Sequence, residues 1–186
     1  MALVLDILVI PTYNTLTLAV ADASTYPPAP PVTGPTIEIT IPAFGTVSLP
    51  FTPEEVNFFN STSLGLTQVG DPQLPLPDGI YTLTYSVDPS NVNNVTKNIM
   101  RVDQLQEKFD SAFMKLDMME CDKAIKTQQK VDLNSIYFFI QGAIAAANNC
   151  AVDEANKLYA HAYTMLNNFL KNNCYCSGNN YVLNFN

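Results

Sequence analysis

The chain has 186 residues, 47% of them hydrophobic and 14% charged, enough apolar matter for one ordinary core or two small ones and too much for wholesale disorder. Its formal charge is −8, and no Lys or Arg precedes Lys97. Phosphate contact needs clustered cations, so this composition argues against binding nucleic acid or an anionic membrane surface.

The first run, "MALVLDILVIPTYN", is predicted to be a strand with Leu3, Leu5, Ile7 and Val9 on one face. It lacks the basic start and unbroken apolar stretch of a secretion signal: Asp6 interrupts it and Pro11 ends it. No stretch reaches the roughly 20 apolar residues that span a bilayer. The expectation is a soluble protein made and kept in a cytoplasm.

Further short runs follow between Pro and Gly punctuation: "TLTLAVA", "TIEITIPAF", "GTVSLPF", "STSLGLTQV", "GIYTLTYSV" and "TKNIMRVD". Seven strand candidates with turn signals between them predict a β-sandwich of immunoglobulin or fibronectin type III size. In the sixth, Tyr81, Leu83, Tyr85 and Val87 point one way and Thr82, Thr84 and Ser86 the other, so one face is buried and one wet. The "DGIY" before it is similar to the corner of Ig-like domains at which a tyrosine hydroxyl pins the chain. The proline-rich "YPPAPPVTGP", Tyr26 to Pro35, reads as a stiff loop, with a docking segment for an aromatic groove as the alternative.

Near residue 100 the pattern changes. All thirteen prolines lie at or before Pro89, and all four cysteines at or after Cys121. Because Pro breaks helices, the partition predicts a β half followed by an α half. Residues 1–103 carry nine acids and two cations; the remainder is nearly balanced. Leu105, Phe109, Ala112, Leu116 and Met119 form the apolar stripe of a first helix. Leu133, Ile136, Ile140, Ala143 and Ala147 form a second, with Asp132 as its expected N-cap. Leu158, Ala162, Met165 or Leu166, and Phe169 form a third, with Asp153 and Glu154 in the first turn where the helix dipole favours them. Short connections near Lys130 and Cys150 predict antiparallel neighbours: one long helix plus a helical hairpin. Gly142, Ala143, Ala145, Ala146 and Ala147 would let the hairpin close tightly. The last residues, "NNYVLNFN", return to strand alternation and could pair with their own β domain or a neighbour's sheet edge. The expected class is therefore α+β: an N-terminal Ig/fibronectin-like β-sandwich (1–103), a C-terminal three-helix region (104–178) and a short terminal strand (179–186).

No pattern of reaction chemistry stands out, and no catalytic, cofactor-binding or metal residue is assigned. His161 is the only histidine and sits within the third helix, where a helix-surface or partly buried residue is the plain reading and a general base the alternative. No Gly-rich phosphate loop, G-x-S-x-G or H-E-x-x-H occurs. Glu54–Glu55 and Glu120–Asp122 read as solvated turns or helix faces. Cys121, Cys150, Cys174 and Cys176 read as packed free thiols, with disulfides or a zinc site as alternatives; C-x-C is a poor zinc knuckle.

The segment from "RVDQLQEKFDSAFMKLDMMECDKAIK" through "NNCYCSG", with "DGIYTLTYSV" before it, resembles small virion proteins of tailed bacteriophages of Bacteroidetes, including the crAss-like group. The resemblance runs from about Ile80 to Gly178. It implies a non-enzymatic structural protein of the virion, assembled in the bacterial host cytoplasm: a ring or adaptor subunit at the portal and head-to-tail junction. Its implied partners are other copies in a homo-oligomeric ring and the portal, tail and neck proteins, without specific nucleic-acid or membrane binding. Asp71, Asp78 and Asp88 would then give an acidic inner wall past which DNA slides. An Ig-like capsid-decoration or surface-binding module is the alternative, and a small hydrolase using Cys174, Cys176 and His161 a remote third.

Overall fold

The computed structural model describes residues 3–10, 15–22, 36–50, 65–70, 73–86, 94–120 and 122–172. The chain divides into two units, Met1–Arg101 and Val102–Asn186.

The first unit holds seven strands among the described residues: β1 (Leu3–Ile10), β2 (Thr15–Asp22), β3 (Thr36–Ile41), β4 (Gly45–Pro50), β5 (Gly65–Gly70), β6 (Gly79–Ser86) and β7 (Asn94–Arg101). They form two sheets, β1-β2-β5 and β4-β3-β6-β7. Every neighbouring pair is antiparallel except β2 and β5, which run parallel with Thr15 opposite Gly65 and Val20 opposite Gly70. The strand alternation read from the sequence sorts the side chains. Leu16, Leu18 and Val20 of β2, Ile37, Ile39 and Ile41 of β3, and Tyr81, Leu83 and Tyr85 of β6 are buried in one cluster that both sheets share. Each large apolar side chain so buried stabilises the fold by about 1.5–3 kcal/mol relative to exposure.

Two local devices fix the corner before β6. The Tyr81 hydroxyl donates to the Pro77 carbonyl at 2.8 Å, so the tyrosine of "DGIY" does pin the chain four residues upstream. Gln68 of β5 gathers three bonds. Its Nε2 donates to Leu74 O (3.0 Å), and its Oε1 accepts from Leu76 N (3.1 Å) and from Nη2 of the buried Arg101 (3.2 Å). One amide thus ties the 73–78 segment and the end of β7 to β5. At β7, an edge of its sheet among the described residues, Lys97 shares a side with the core-packed Val95 and Ile99. Burial lowers the pKa of its amine. A charge turned inward on an edge strand discourages further strands from pairing there.

The second unit holds three helices, α1 (Asp103–Met118), α2 (Lys123–Asn148) and α3 (Val152–Asn172). Leu105, Phe109, Ala112 and Leu116 are buried along α1, and Leu133, Ile136, Ile140, Ala143 and Ala147 along α2. On α3 the fully covered positions are Ala155, Ala162 and Leu166, while Leu158, Met165 and Phe169 are half-buried. Small residues let α2 and α3 close: a Cβ at Gly142 would stand 3.4 Å from Leu158 Cδ1.

The expected start of α2 is corrected. Asp122, not Asp132, is the N-cap, its carboxylate accepting from Ala124 N (2.9 Å) and Ile125 N (3.4 Å). Lys130 lies inside the helix, and the connection falls at residues 119–122, so the longest helix belongs to the hairpin. The first ten residues of α2 bury no side chain fully, which hides them from any apolar periodicity. Ala, Lys and Gln of high helix propensity carry that part. Asp132 instead accepts from Gln128 Nε2 one turn earlier, at 3.0 Å.

The α2–α3 turn has Cys150 at φ +60. Cys150 N donates to Ala147 O and Ala151 N to Ala146 O, both at 2.9 Å, the paired bonds of a Schellman turn. Glycine usually takes this left-handed position because a Cβ there costs about 1–2 kcal/mol. Cys150→Gly is expected to stabilise the helical unit by about 0.5–1 kcal/mol, since the gain is partly offset by a freer unfolded chain. Urea denaturation followed by helical circular dichroism checks it; an unchanged or lower midpoint would count against the turn geometry.

Candidate functional surface

Among the described residues, those weighed for chemistry do not converge. His161 is exposed on α3, its ring edge-on to Phe139 with centroids 4.5 Å apart. Cys150 is an exposed free thiol at the hairpin turn; Cys121, Cys174 and Cys176 lie outside the described residues. Among the described residues, no three His, Cys, Asp or Glu side chains stand close enough to hold a metal ion. Nor is any helix among them long and apolar enough to cross a membrane. Asp78 is half-buried just before β6. Asp71, Asp88, Glu54, Glu55, the 26–35 loop and the 179–186 tail are outside the described residues.

Three of the lysines lie along the surface of the helical unit against its own helices. Lys126 Nζ reaches the carbonyls of Asp117 (2.5 Å) and Met119 (3.2 Å), and Lys130 pairs with the Asp117 carboxylate. These contacts place cations at the C-terminal end of α1, where the last carbonyls lack helical partners and the dipole is negative. Lys130 also lies over the Phe113 ring at 5.4 Å, and Lys108 over Tyr163 at 5.3 Å. The hydrogen bond from Lys130, then its charge, holds the Asp117 carboxyl below its ordinary range. A carboxylate so lowered adds stability above its unfolded pKa, about 4, and loses it as pH falls through the folded value. The end of α1 is therefore expected to fray on acidification. With intrinsic exchange rates divided out, amide protection at Leu116–Met118 should fall below that range, and in Asp117→Asn should be lower at neutral pH and flat across the same interval.

Two surfaces remain. On the outer side of the β4-β3-β6-β7 sheet, pairing aligns Thr46, Thr40, Thr82 and Asn98 in one row and Ser48, Glu38, Thr84 and Thr96 in the next. The side chains bond across the strands: Thr40 to Thr46 at 2.8 Å, Thr82 to Asn98 at 2.9 Å, Thr84 to Thr96 at 3.2 Å. Glu38 is the only charge in these rows. On the helical unit, a cleft of about 410 Å³ lies between α1 and α2, lined by Phe109, Asp110, Phe113, Met114, Asn134 and Tyr137. Phe109 stands 5.8 Å from Tyr137 and 6.3 Å from Phe113 between ring centroids. Beside it, twenty consecutive residues from Leu133 of α2 to Val152 at the start of α3 carry no charge. The sequence reading found the buried stripe of α2 but not this exposed apolar side; the charge-free run was its visible signal. Comparisons with models of known protein families, with curated proteins and with solved structures find no match to this chain.

Proposed function

We propose that the chain is a non-enzymatic virion structural protein, a ring or adaptor subunit at the portal and head-to-tail junction of a tailed bacteriophage, acting as a homo-oligomer. The observation that carries the reading is the helical unit's exposed apolar side, where Met114, Met118, Val131, Tyr137 and Phe138 are uncovered beside the charge-free run from Leu133 to Val152, as in a part built for contact. The resemblance of the segment from Ile80 to Gly178 to small virion proteins supplies the setting. For the first unit we read an Ig/fibronectin-like sandwich. The sheet orders β1-β2-β5 and β4-β3-β6-β7 correspond to strands A-B-E and C′-C-F-G, and the Tyr81 bond to the tyrosine corner. The parallel β5 departs from that all-antiparallel pattern. An acidic chain at the junction would let DNA pass without adhering.

A second reading, an Ig-like decoration or surface-binding module, is favoured by the hydroxyl-covered outer face of the larger sheet, which is polar and nearly uncharged. Purified particles whose genome encodes the chain separate the two. Peptides of this chain at a copy number matching the portal ring, with antibody label at the neck, support the first. Label distributed over the capsid supports the second, and absence from particles overturns both.

A further inference from the structure

We propose that the α1–α2 side of the helical unit is a self-association surface, on which Phe138 of each copy fills the cleft between α1 and α2 of a second copy. The inference rests on the assembly reading only for the expectation that copies meet; a two-fold contact pairs copies and leaves the closing of a ring to a different, head-to-tail face.

The geometry puts a knob and a hole on one face. Asn134 lines the cleft, and Phe138 stands one turn further along the same side of α2, with Val131 one turn before. On α1, Met114 lines the cleft and Met118 continues its row by one turn. Phe138 is 73% exposed, Met118 81%, Met114 56%, Val131 52% and Tyr137 40%. At about 200 Å² for a large side chain, their uncovered parts come to roughly 600 Å². A standard interface needs about 800 Å² from each partner. The intervening Asn134, Gln141 and Ala145, exposed on the same side of α2, bring the face to that size.

Charge and symmetry select the occupant. Copies that each carry −8 repel wherever carboxylates meet, and the run from Leu133 to Val152 is where they can approach without that penalty. A strongly charged partner would find little there to pair with beyond Asp110 at the rim. Because knob and hole adjoin, one two-fold rotation seats both phenylalanines at once, the self-complementary arrangement of an isologous contact. A buried aromatic set in a pocket and rimmed by polar groups, here Asp110, Asn134 and Gln141, is also the usual form of an energetically dominant contact.

The test is sedimentation equilibrium of the full chain and of Phe138→Asp, at tens of micromolar protein, with helical circular dichroism as the check on folding. The parent is expected to sediment as a dimer or a multiple of one, and Phe138→Asp to halve that mass or raise the apparent dissociation constant at least tenfold. Met114→Ser and Asn134→Lys, both at exposed positions, should act in the same direction, which keeps the test decisive if Phe138→Asp folds poorly. Phe44→Asp, in the first unit, should leave the mass unchanged. A parent that stays monomeric overturns the inference, and presence in particles would still decide the virion reading. Oligomers that survive all three helical variants also overturn it, leaving assembly intact through some other face.

Discussion

Gly70→Ala is expected to unfold the strand-built unit under conditions where the parent is fully folded. Gly70 ends β5 at φ +128, opposite Val20 on the parallel neighbour β2. A Cβ there would lie 2.3 Å from Val20 O and 3.0 Å from Val20 N. Both are backbone atoms held by the β1–β2 and β2–β5 ladders, so no side-chain rotation relieves the overlap. Overpacking of this kind costs about 1–3 kcal/mol, and the backbone conformation adds about 1–3 more for any residue with a Cβ. A loss of about 2–6 kcal/mol is a large part of the 5–15 kcal/mol that holds an ordinary domain. Gly45→Ala is the control: φ is +91, but nothing lies within 4 Å of the added carbon, so only the conformational part, about 1–3 kcal/mol, should appear. Denaturant unfolding followed by tyrosine fluorescence reads the difference, with Tyr81 and Tyr85 reporting from the core. Equal losses in the two variants would mean that β5 does not lie against β2 as described.

The second large effect separates an aliphatic and an aromatic position two residues apart on α2. Ile140→Ala should cost the helical unit about 2–5 kcal/mol, because its side chain is fully buried in the α2 stripe and its removal leaves a cavity that rigid neighbours only partly fill. Phe138→Ala, two residues earlier, should change monomer stability by no more than about 0.5 kcal/mol, since most of that ring is already in water. The two are compared by thermal unfolding at low protein concentration, where association does not contribute. A Phe138→Ala loss as large as that of Ile140→Ala would show that the ring packs within its own chain.

That pair also marks what the sequence reveals. In "IYFFI" every residue is apolar, and composition cannot say which ring faces out; the three-and-four spacing of Leu133, Ile136, Ile140, Ala143 and Ala147 can, because it follows the helix repeat. The seven strands were legible for a similar reason, since Pro, Gly and Asn punctuate them and Tyr81, Leu83 and Tyr85 alternate with Thr82 and Thr84. Alternation carries no direction, however, so the parallel pairing of β5 with β2 could not be read from it. The start of α2 was missed because residues 123–132 rely on propensity and on the Asp122 cap rather than on burial. The Gln68–Arg101 bond joins residues 33 apart and leaves no local trace. The left-handed Cys150 was hidden by its identity, as glycine is the usual mark of such a turn.

The pairing of β2 with β5 also bears on how the chain is made. Partners in that ladder are fifty residues apart, whereas α2 and α3 meet across a three-residue turn. Loop closure over the longer span is the slower event. While translation proceeds, β2 leaves the ribosome long before the strand it needs, and its Leu16, Leu18 and Val20 must wait uncovered. The hazard of misassembly on the nascent chain therefore falls early, and a cell short of holding chaperones should lose this protein to aggregates formed through its front portion before its helices are even synthesised.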